Sequence, residues 1–226
     1  MPYKKLLAIC NILAIQALFL IAAICIPTFS MSFYEAQYAK YYTPQRIGIC
    51  EAELMKVTKQ LTDYMRRRAD DLVITVEVNG VTREFFDDRD KAHMVDVRGL
   101  FDLVRIAFFV SLGLMVFTFV ILRNDLPLLF RTSLITMVAV LVLFAVIVGI
   151  IAYDFDSAFI VFHLIFFNND LWILDPSVSL LINIVPQEFF VDISIRVGLI
   201  FVGLILGYMA VVICLIRFSV SKWKCR

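Results

Sequence analysis

An all-α membrane fold with four transmembrane helices is what this sequence predicts, on three observations. Hydrophobic residues fill 62% of 226 positions, 21 of them Phe, whereas soluble globular domains run at roughly 45 to 50% apolar. Apolar runs free or nearly free of charge recur at about 6–32, 100–122, 132–153 and 197–216, each near the ~20 residues a helix needs to cross hydrocarbon. Basic residues gather at alternate ends of these runs, as expected when Lys and Arg stay on the cytoplasmic side. The formal net charge of +1 carries no basic excess, so no nucleic-acid partner is predicted.

The first run follows Lys4 and Lys5 and holds no charge from Leu6 to Tyr34. It is too long for the apolar core of a secretory signal, and no small-residue cleavage site follows, so it reads as an uncleaved anchor. Ile9 and Ile24 stand where a lipid-attachment cysteine needs a small residue before it, which argues against Cys10 and Cys25 in that role. The second run carries Asp102 and Arg105 near its start, able to pair across one turn. A short basic turn of Arg123, Asp125, Pro127 and Arg131 leads into the third run, which is followed by Asp154 and Asp156. The fourth ends in Arg217, Lys222, Lys224 and Arg226. This charge pattern places both termini in the cytoplasm and makes segments of about 33–99 and 154–196 extracytoplasmic, within a single membrane domain over 1–226. The basic residues within 33–99 do not oppose this, because loops longer than about 60 residues translocate with little regard to charge. Gly203 and Gly207 give the fourth span a G-x-x-x-G spacing suited to close packing against another helix of the chain.

The first extracytoplasmic segment carries an amphipathic helix and a β-hairpin. Leu54, Val57, Leu61, Tyr64 and Met65 recur at three and four residue intervals, opposite Lys56, Lys59, Gln60 and Asp63. The helix closes on Arg66, Arg67 and Arg68, suited either to anionic headgroups or to solvent. The alternating LVITVEV run of Leu72 to Val78 meets Asn79-Gly80 before Val81 to Phe86 returns, a strong two-residue hairpin signal. A lone hairpin is marginal, so it must dock on something. Five cysteines supply no disulfide framework, since Cys10, Cys25 and Cys214 fall in apolar runs, Cys225 lies in the basic tail and only Cys50 has a polar setting. Tyr34, Tyr41 and Tyr42 read either as an aromatic belt or as residues reaching a site.

The chain has two histidines, and both fall at extracytoplasmic ends of spans. His163 closes an apolar run just before Asn168, Asn169 and Asp170. His93 precedes the second span, and a helix from Asp90 onward places Asp96 on its face, where the carboxylate can orient the ring. Three chemistries compete. A metal site could draw on His93, His163, Asp96 and Asp170, but no tight ligand spacing supports it, so no metal is predicted. A protein nucleophile lacks both a G-x-S-x-G motif and a basic neighbour for Cys50. General acid-base catalysis by histidine on a nucleophile carried by the substrate needs no more than the residues present. A histidine-x4-aspartate acyltransferase box is excluded by Asn168. Packed or pH-sensing histidines in a non-enzymatic binding protein, and a metal-dependent membrane hydrolase, are the rival readings.

The stretches FHLIFFNNDLWILDP and SLLINIVPQEFF, with the upstream HMVDVR and FYEAQYAKYY, resemble a bacterial four-span membrane family that includes the lipoprotein intramolecular transacylase. The resemblance implies a bacterial cell-membrane acyltransferase with its site facing the extracytoplasmic side. The implied reaction moves the sn-2 acyl chain of a diacylglyceryl lipoprotein onto the lipoprotein's own N-terminal cysteine amine, giving the lyso form. The lipoprotein and membrane lipids are the implied partners, with no cofactor and no covalent acyl-enzyme. On that basis His163 takes the ammonium proton and His93 donates toward the glycerol oxygen. Asn169 or Asp170 holds the cysteine backbone or His163, and Arg98 contacts the oxyanion or a headgroup, snorkelling to phosphate being its alternative. Trp172 anchors at the interface or grips the glyceryl head. Asp175-Pro176 reads as the start of a turn or helix, and Pro186, Phe189 and Phe190 as a return to the interface.

Overall fold

The computed structural model describes residues 2–224, with side chains through Arg217; those of Lys222 and Lys224, together with Cys225 and Arg226, lie outside the described residues. In chain order the elements are α1 (Pro2–Thr28), α2 (Met31–Lys40), α3 (Thr43–Ile47), α4 (Glu51–Met65), β1 (Thr75–Val78), β2 (Val81–Glu84), α5 (Asp88–Leu122), α6 (Leu126–Tyr153), α7 (Phe155–Phe166), α8 (Leu180–Ile184) and α9 (Gln187–Lys224). Among the described residues, α1, α5, α6 and α9 are long and apolar enough to cross a membrane. The predicted class, four spans with a helix and hairpin inserted between the first two, is what the chain adopts.

Contacts divide the chain into two compact units. One comprises Met1–Ile24, Arg105–Asp154 and Arg196–Arg226, the apolar lengths of the four long helices. Its core is Ala8, Ile12, Ala23, Leu122, Leu129, Met137, Phe201 and Ile205. Many other apolar side chains face outward, Phe109, Ile135 and Ile150 each being more than 60% exposed, as expected for helices whose solvent is lipid. Buried Asn11 ties α1 to α5, its Nδ2 donating to the Met115 carbonyl and to Thr118 Oγ1, both at 2.8 Å. Such bonds inside membranes contribute about 0.6 kcal/mol each. Lys4 pairs with Asp125 at 2.7 Å, fixing the start of α1 beside the α5–α6 turn. Gly203 and Gly207 depart from expectation: a Cβ built on either meets nothing within 4 Å. They face outward and do not admit a neighbouring helix of this chain.

The other unit, Cys25–Val104 with Phe155–Ile195, is organised around α4. Leu54, Val57, Leu61, Tyr64 and Met65 are all buried, packed with Phe33, Tyr38, Phe85, Phe86, Met94, Leu181 and Phe189. Tyr38 shares a 2.7 Å hydrogen bond with Thr58 within this core. The amphipathic face is therefore covered by protein. Arg66 lies 4.1 Å over the Phe29 ring, and Arg67 grips Asp102 through Nε at 2.9 and 3.1 Å, so neither is merely a solvated helix end. The hairpin forms in the predicted register, with Val78 opposite Val81 and positive φ at both Asn79 and Gly80. It docks through buried Val76 and Val78 and through Asn79 N, which donates to the Gly48 carbonyl at 2.8 Å. Gly48 has φ +71, and a Cβ there would lie 1.9 Å from Asn79 Oδ1, so glycine is required.

Helix boundaries differ from the predicted spans. α6 starts at Leu126 rather than 132, taking Pro127 and Arg131 of the expected turn into its first turns, and α9 runs from Gln187 to Lys224 rather than 197 to 216. Two other differences have a clear local reason. The first span stops at Thr28 rather than 32, because Pro27 sits in its last turn and Ser30 starts α2 by accepting from Phe33 N at 3.3 Å. The second begins at Asp88, so the HMVDVR stretch and the span are one 35-residue helix. A reciprocal cap sets its start: Asp90 N donates to Asp87 Oδ1 at 2.7 Å, and Asp87 N donates to Asp90 Oδ2 at 3.3 Å, the geometry of a capping box. Asp90 is fully buried and also accepts from Ser179 Oγ at 2.6 Å. Asp175-Pro176 forms a turn, with Val178 N and Ser179 N both donating to the Asp175 carbonyl. Phe189 is part of the protein core.

Candidate active site

α7 presents His163 inward. The ring is 7% exposed, while Val161, Phe162, Leu164, Ile165 and Phe166 are between 47% and 69% exposed. Trp172 stacks on it at 4.6 Å between centroids with an interplanar angle of 26°. Phe159 and Phe167 lie 4.3 and 5.6 Å away. Its Nδ1 is 2.6 Å from the Phe159 carbonyl. A carbonyl can only accept, so Nδ1 carries the hydrogen, and in the neutral ring Nε2 keeps its lone pair. Backbone geometry one turn back thus fixes the tautomer a base requires.

His93 lies on the first turns of α5, a stretch that includes Asp88, Arg89, Asp90, Lys91, Asp96 and Arg98 and so lies outside the apolar part of the helix that begins near residue 100. Its ring is 6.4 Å from that of His163, at 33°, and meets Phe167 edge-on at 5.4 Å. Nδ1 of His93 is buried and makes no hydrogen bond within the protein. Burial, then the neighbouring His163, pulls the His93 pKa down to about 4 against an upward pull from Asp96. Burial also lowers His163, opposed by its bond to the Phe159 carbonyl. Both rings are therefore neutral at pH 7, one with a fixed lone pair and one with a ring nitrogen that has no partner within the protein. That combination can take a proton at one point and deliver one nearby.

The other residues singled out from sequence surround this pair, and several take roles different from those expected. Asp96 does not orient His93: it accepts from Asn169 Nδ2 at 2.8 Å, because the loop after α7 crosses that face of α5. Asn169 consequently holds Asp96 and its own loop, not His163; its Oδ1 accepts from Leu171 N, and its carbonyl accepts from Trp172 Nε1, both at 3.1 Å. The Asp170 side chain is 77% exposed and lies 3.6 Å from Arg89, away from His163. Arg98 stacks on Tyr64 at 4.1 Å and reaches the Asp70 carbonyl at 3.5 Å. Trp172 covers His163. Tyr34 is buried, its OH donating to the Thr28 carbonyl at 3.1 Å, and Tyr41 OH donates to Asp192 at 2.8 Å; of the three tyrosines only Tyr42, at 71%, is well exposed.

Residues 7–190 match the family described as lipoprotein intramolecular transacylase Lit. The chain belongs to the lipoprotein intramolecular transacylase family. Its fold is that of the membrane-integral lipoprotein intramolecular transacylase Lit from Bacillus cereus solved in meso, with a TM-score of 0.78 at 19% identity over 99% of both chains. Two further structures of the Bacillus cereus protein, with a histidine replaced by alanine or by arginine, each give a TM-score of 0.71 at 18% identity, covering 99% of this chain and 96% and 94% of theirs. Among curated proteins, none matches the sequence.

In this member of the transacylase family, three contributors to the site escape the sequence pattern: Arg89, Phe159 and Phe167. Arg89 and Phe159 each precede a histidine by four positions, the helical spacing that puts residues on one face, and that spacing is the signal that would have found them. No three His, Cys, Asp or Glu side chains among the described residues come together as a metal-binding group. Cys50, the one cysteine in a polar setting, is exposed and unpaired by disulfide.

Proposed function

We propose that this member of the transacylase family moves the sn-2 acyl chain of a diacylglyceryl lipoprotein onto the α-amino group of the lipoprotein's own N-terminal cysteine. The observation that carries this reading is the pair of neutral rings 6.4 Å apart, with the His163 tautomer fixed by the Phe159 carbonyl. An α-amine with pKa near 8 is mostly protonated at neutral pH and needs a base to attack. The nitrogen attacks as the free amine, after one ammonium proton has passed to water, and His163 Nε2 takes a second proton from the nitrogen as it adds to the ester carbonyl. The tetrahedral intermediate then collapses, the carbon–oxygen bond to glycerol breaks, and His93 delivers a proton to the departing oxygen. The proton gained by His163 balances the one lost by His93 and returns to it between turnovers. Ester and amine belong to one molecule, which supplies a proximity advantage of up to ~7 to 11 kcal/mol in well-oriented cases. Two histidines suffice for the remainder.

The site faces the extracytoplasmic side of the bacterial cell membrane, within one membrane domain over residues 1–226. Lys4, Lys5, Arg123 and Arg131 support this orientation, marking one end of the spans as cytoplasmic. His93 stands 29 positions before Leu122, about 44 Å along α5, toward the opposite end. The test is to express H93N and H163N separately with a diacylglyceryl lipoprotein and to read its N-terminal peptide by mass spectrometry. Both variants are expected to lose the N-acyl, S-monoacylglyceryl product; undiminished product from either removes that ring from the mechanism.

A further inference from the structure

Arg89, His93 and Asp96 stand at i, i+4 and i+7 on α5 and form one stripe of the helix. The outer two hold the loop that follows α7. Asn169 Nδ2 donates to Asp96 Oδ2 at 2.8 Å. Arg89 Nε donates to the Ile173 carbonyl at 3.2 Å, and its Nη2 donates to the Asp170 carbonyl. Between these anchors the loop closes on itself: Leu171 N donates to Asn169 Oδ1 at 3.1 Å, Ile173 N to the Asp170 carbonyl at 3.0 Å and Trp172 Nε1 to the Asn169 carbonyl at 3.1 Å. The side chain so presented is Trp172, stacked on His163. Neither Arg89 nor Asp96 has a described hydrogen bond to either histidine.

We propose that Arg89 and Asp96 are positioning residues, a two-point clamp that staples loop 169–173 along α5 and thereby sets the register of His163 against His93. The clamp works through Trp172. Held at both ends, the loop keeps the indole flat on His163 and water off that face. Released at either end, it lets the indole lift and the two rings drift apart. A displacement of about 1 Å at a reacting group can cost on the order of a hundredfold in rate. Among the described groups, the titratable one facing His163 is His93; Asp96 is turned to Asn169 and Asp170 to Arg89, while Phe159, Phe162, Phe167 and Trp172 carry no charge.

The rate consequence rests on the transacylase reading, so the test pairs turnover with a measurement that does not need it. Trp172 and Trp223 are the two tryptophans of the chain, and a protonated imidazole quenches an indole stacked on it. In a W223F background, the pH midpoint of Trp172 emission therefore reports protonation of His163. D96A and R89A are expected to move that midpoint up toward about 6.5, the value of a solvated imidazole, and to lower kcat roughly ten- to a hundredfold with little change in KM. D96N keeps an acceptor for Asn169 Nδ2 and is expected to restore both readouts, whereas an effect of the Asp96 charge on His93 would leave D96N as impaired as D96A. Unchanged midpoints in both D96A and R89A, or failure of D96N to recover, overturns the clamp. A shifted midpoint in a chain that makes no lyso-form lipoprotein supports the clamp and rejects the transacylase reading instead.

Discussion

The turns around the two histidines are built on opposite principles. Around His163 every neighbour is committed: a carbonyl fixes one nitrogen, an indole covers a face and two phenyl rings fill the sides. Around His93 little is committed, with one ring edge on Phe167 and a buried nitrogen lacking any internal partner. A base that must hold one lone pair ready gains from a fixed tautomer. A donor that must meet an oxygen whose charge changes during the reaction gains from having no competing bond to break. The difference between the two settings therefore parallels the difference between their proposed duties.

Replacing each ring by Asn breaks the comparison most directly. Loss of either general acid or base is expected to lower turnover by about 10²- to 10⁴-fold, measured as lyso-form lipopeptide, and an H93N variant retaining most of its rate would leave His163 acting alone. Next in size is W172A, which uncovers His163 and is expected to cost roughly tenfold near pH 6, while W172F retains a stacked ring and most of the activity. The pH profile sharpens the same contrast. Because His163 acts as a neutral base and its pKa lies below the ordinary 6.5, activity is present above that lowered pKa and is lost as pH falls through it. The acid limb of kcat/KM should therefore lie below pH 6.5 in the wild type and move upward in W172A; a limb already at 6.5 would show that burial does not tune the ring. The smallest effect is the control outside both settings: Y38F removes the bond to Thr58, lowers stability by about 1 kcal/mol in thermal unfolding and leaves turnover per folded molecule unchanged.

Much of this architecture is written in local patterns. Charge-free runs announce the spans, Asn79-Gly80 announces the hairpin, and the three and four residue spacing of Leu54, Val57 and Leu61 announces α4. The histidines are legible because each stands at the boundary between polar and apolar sequence. What stays hidden are partners that come from distant segments. The spacing of His93 and Asp96 correctly puts both on one helix face, yet the residue that reaches Asp96 is Asn169, and nothing in a helical period specifies which loop crosses it. Arg89 binds main-chain carbonyls, which leave no residue-type signature at Asp170 or Ile173. The Tyr64 ring beneath Arg98 is likewise not signalled by the residues around Arg98.

The cap formed by Asp87 and buried Asp90 constrains how the chain tolerates change. It gives α5 a fixed origin, so the azimuth of His93 is counted from a pinned starting point only three positions away. One residue inserted between Asp90 and His93 would swing the imidazole by about 100° around the helix axis, while the insertion's effect on an unpinned helix could be absorbed by sliding the frayed end. Length, as much as chemical identity, is thus constrained in this short interval.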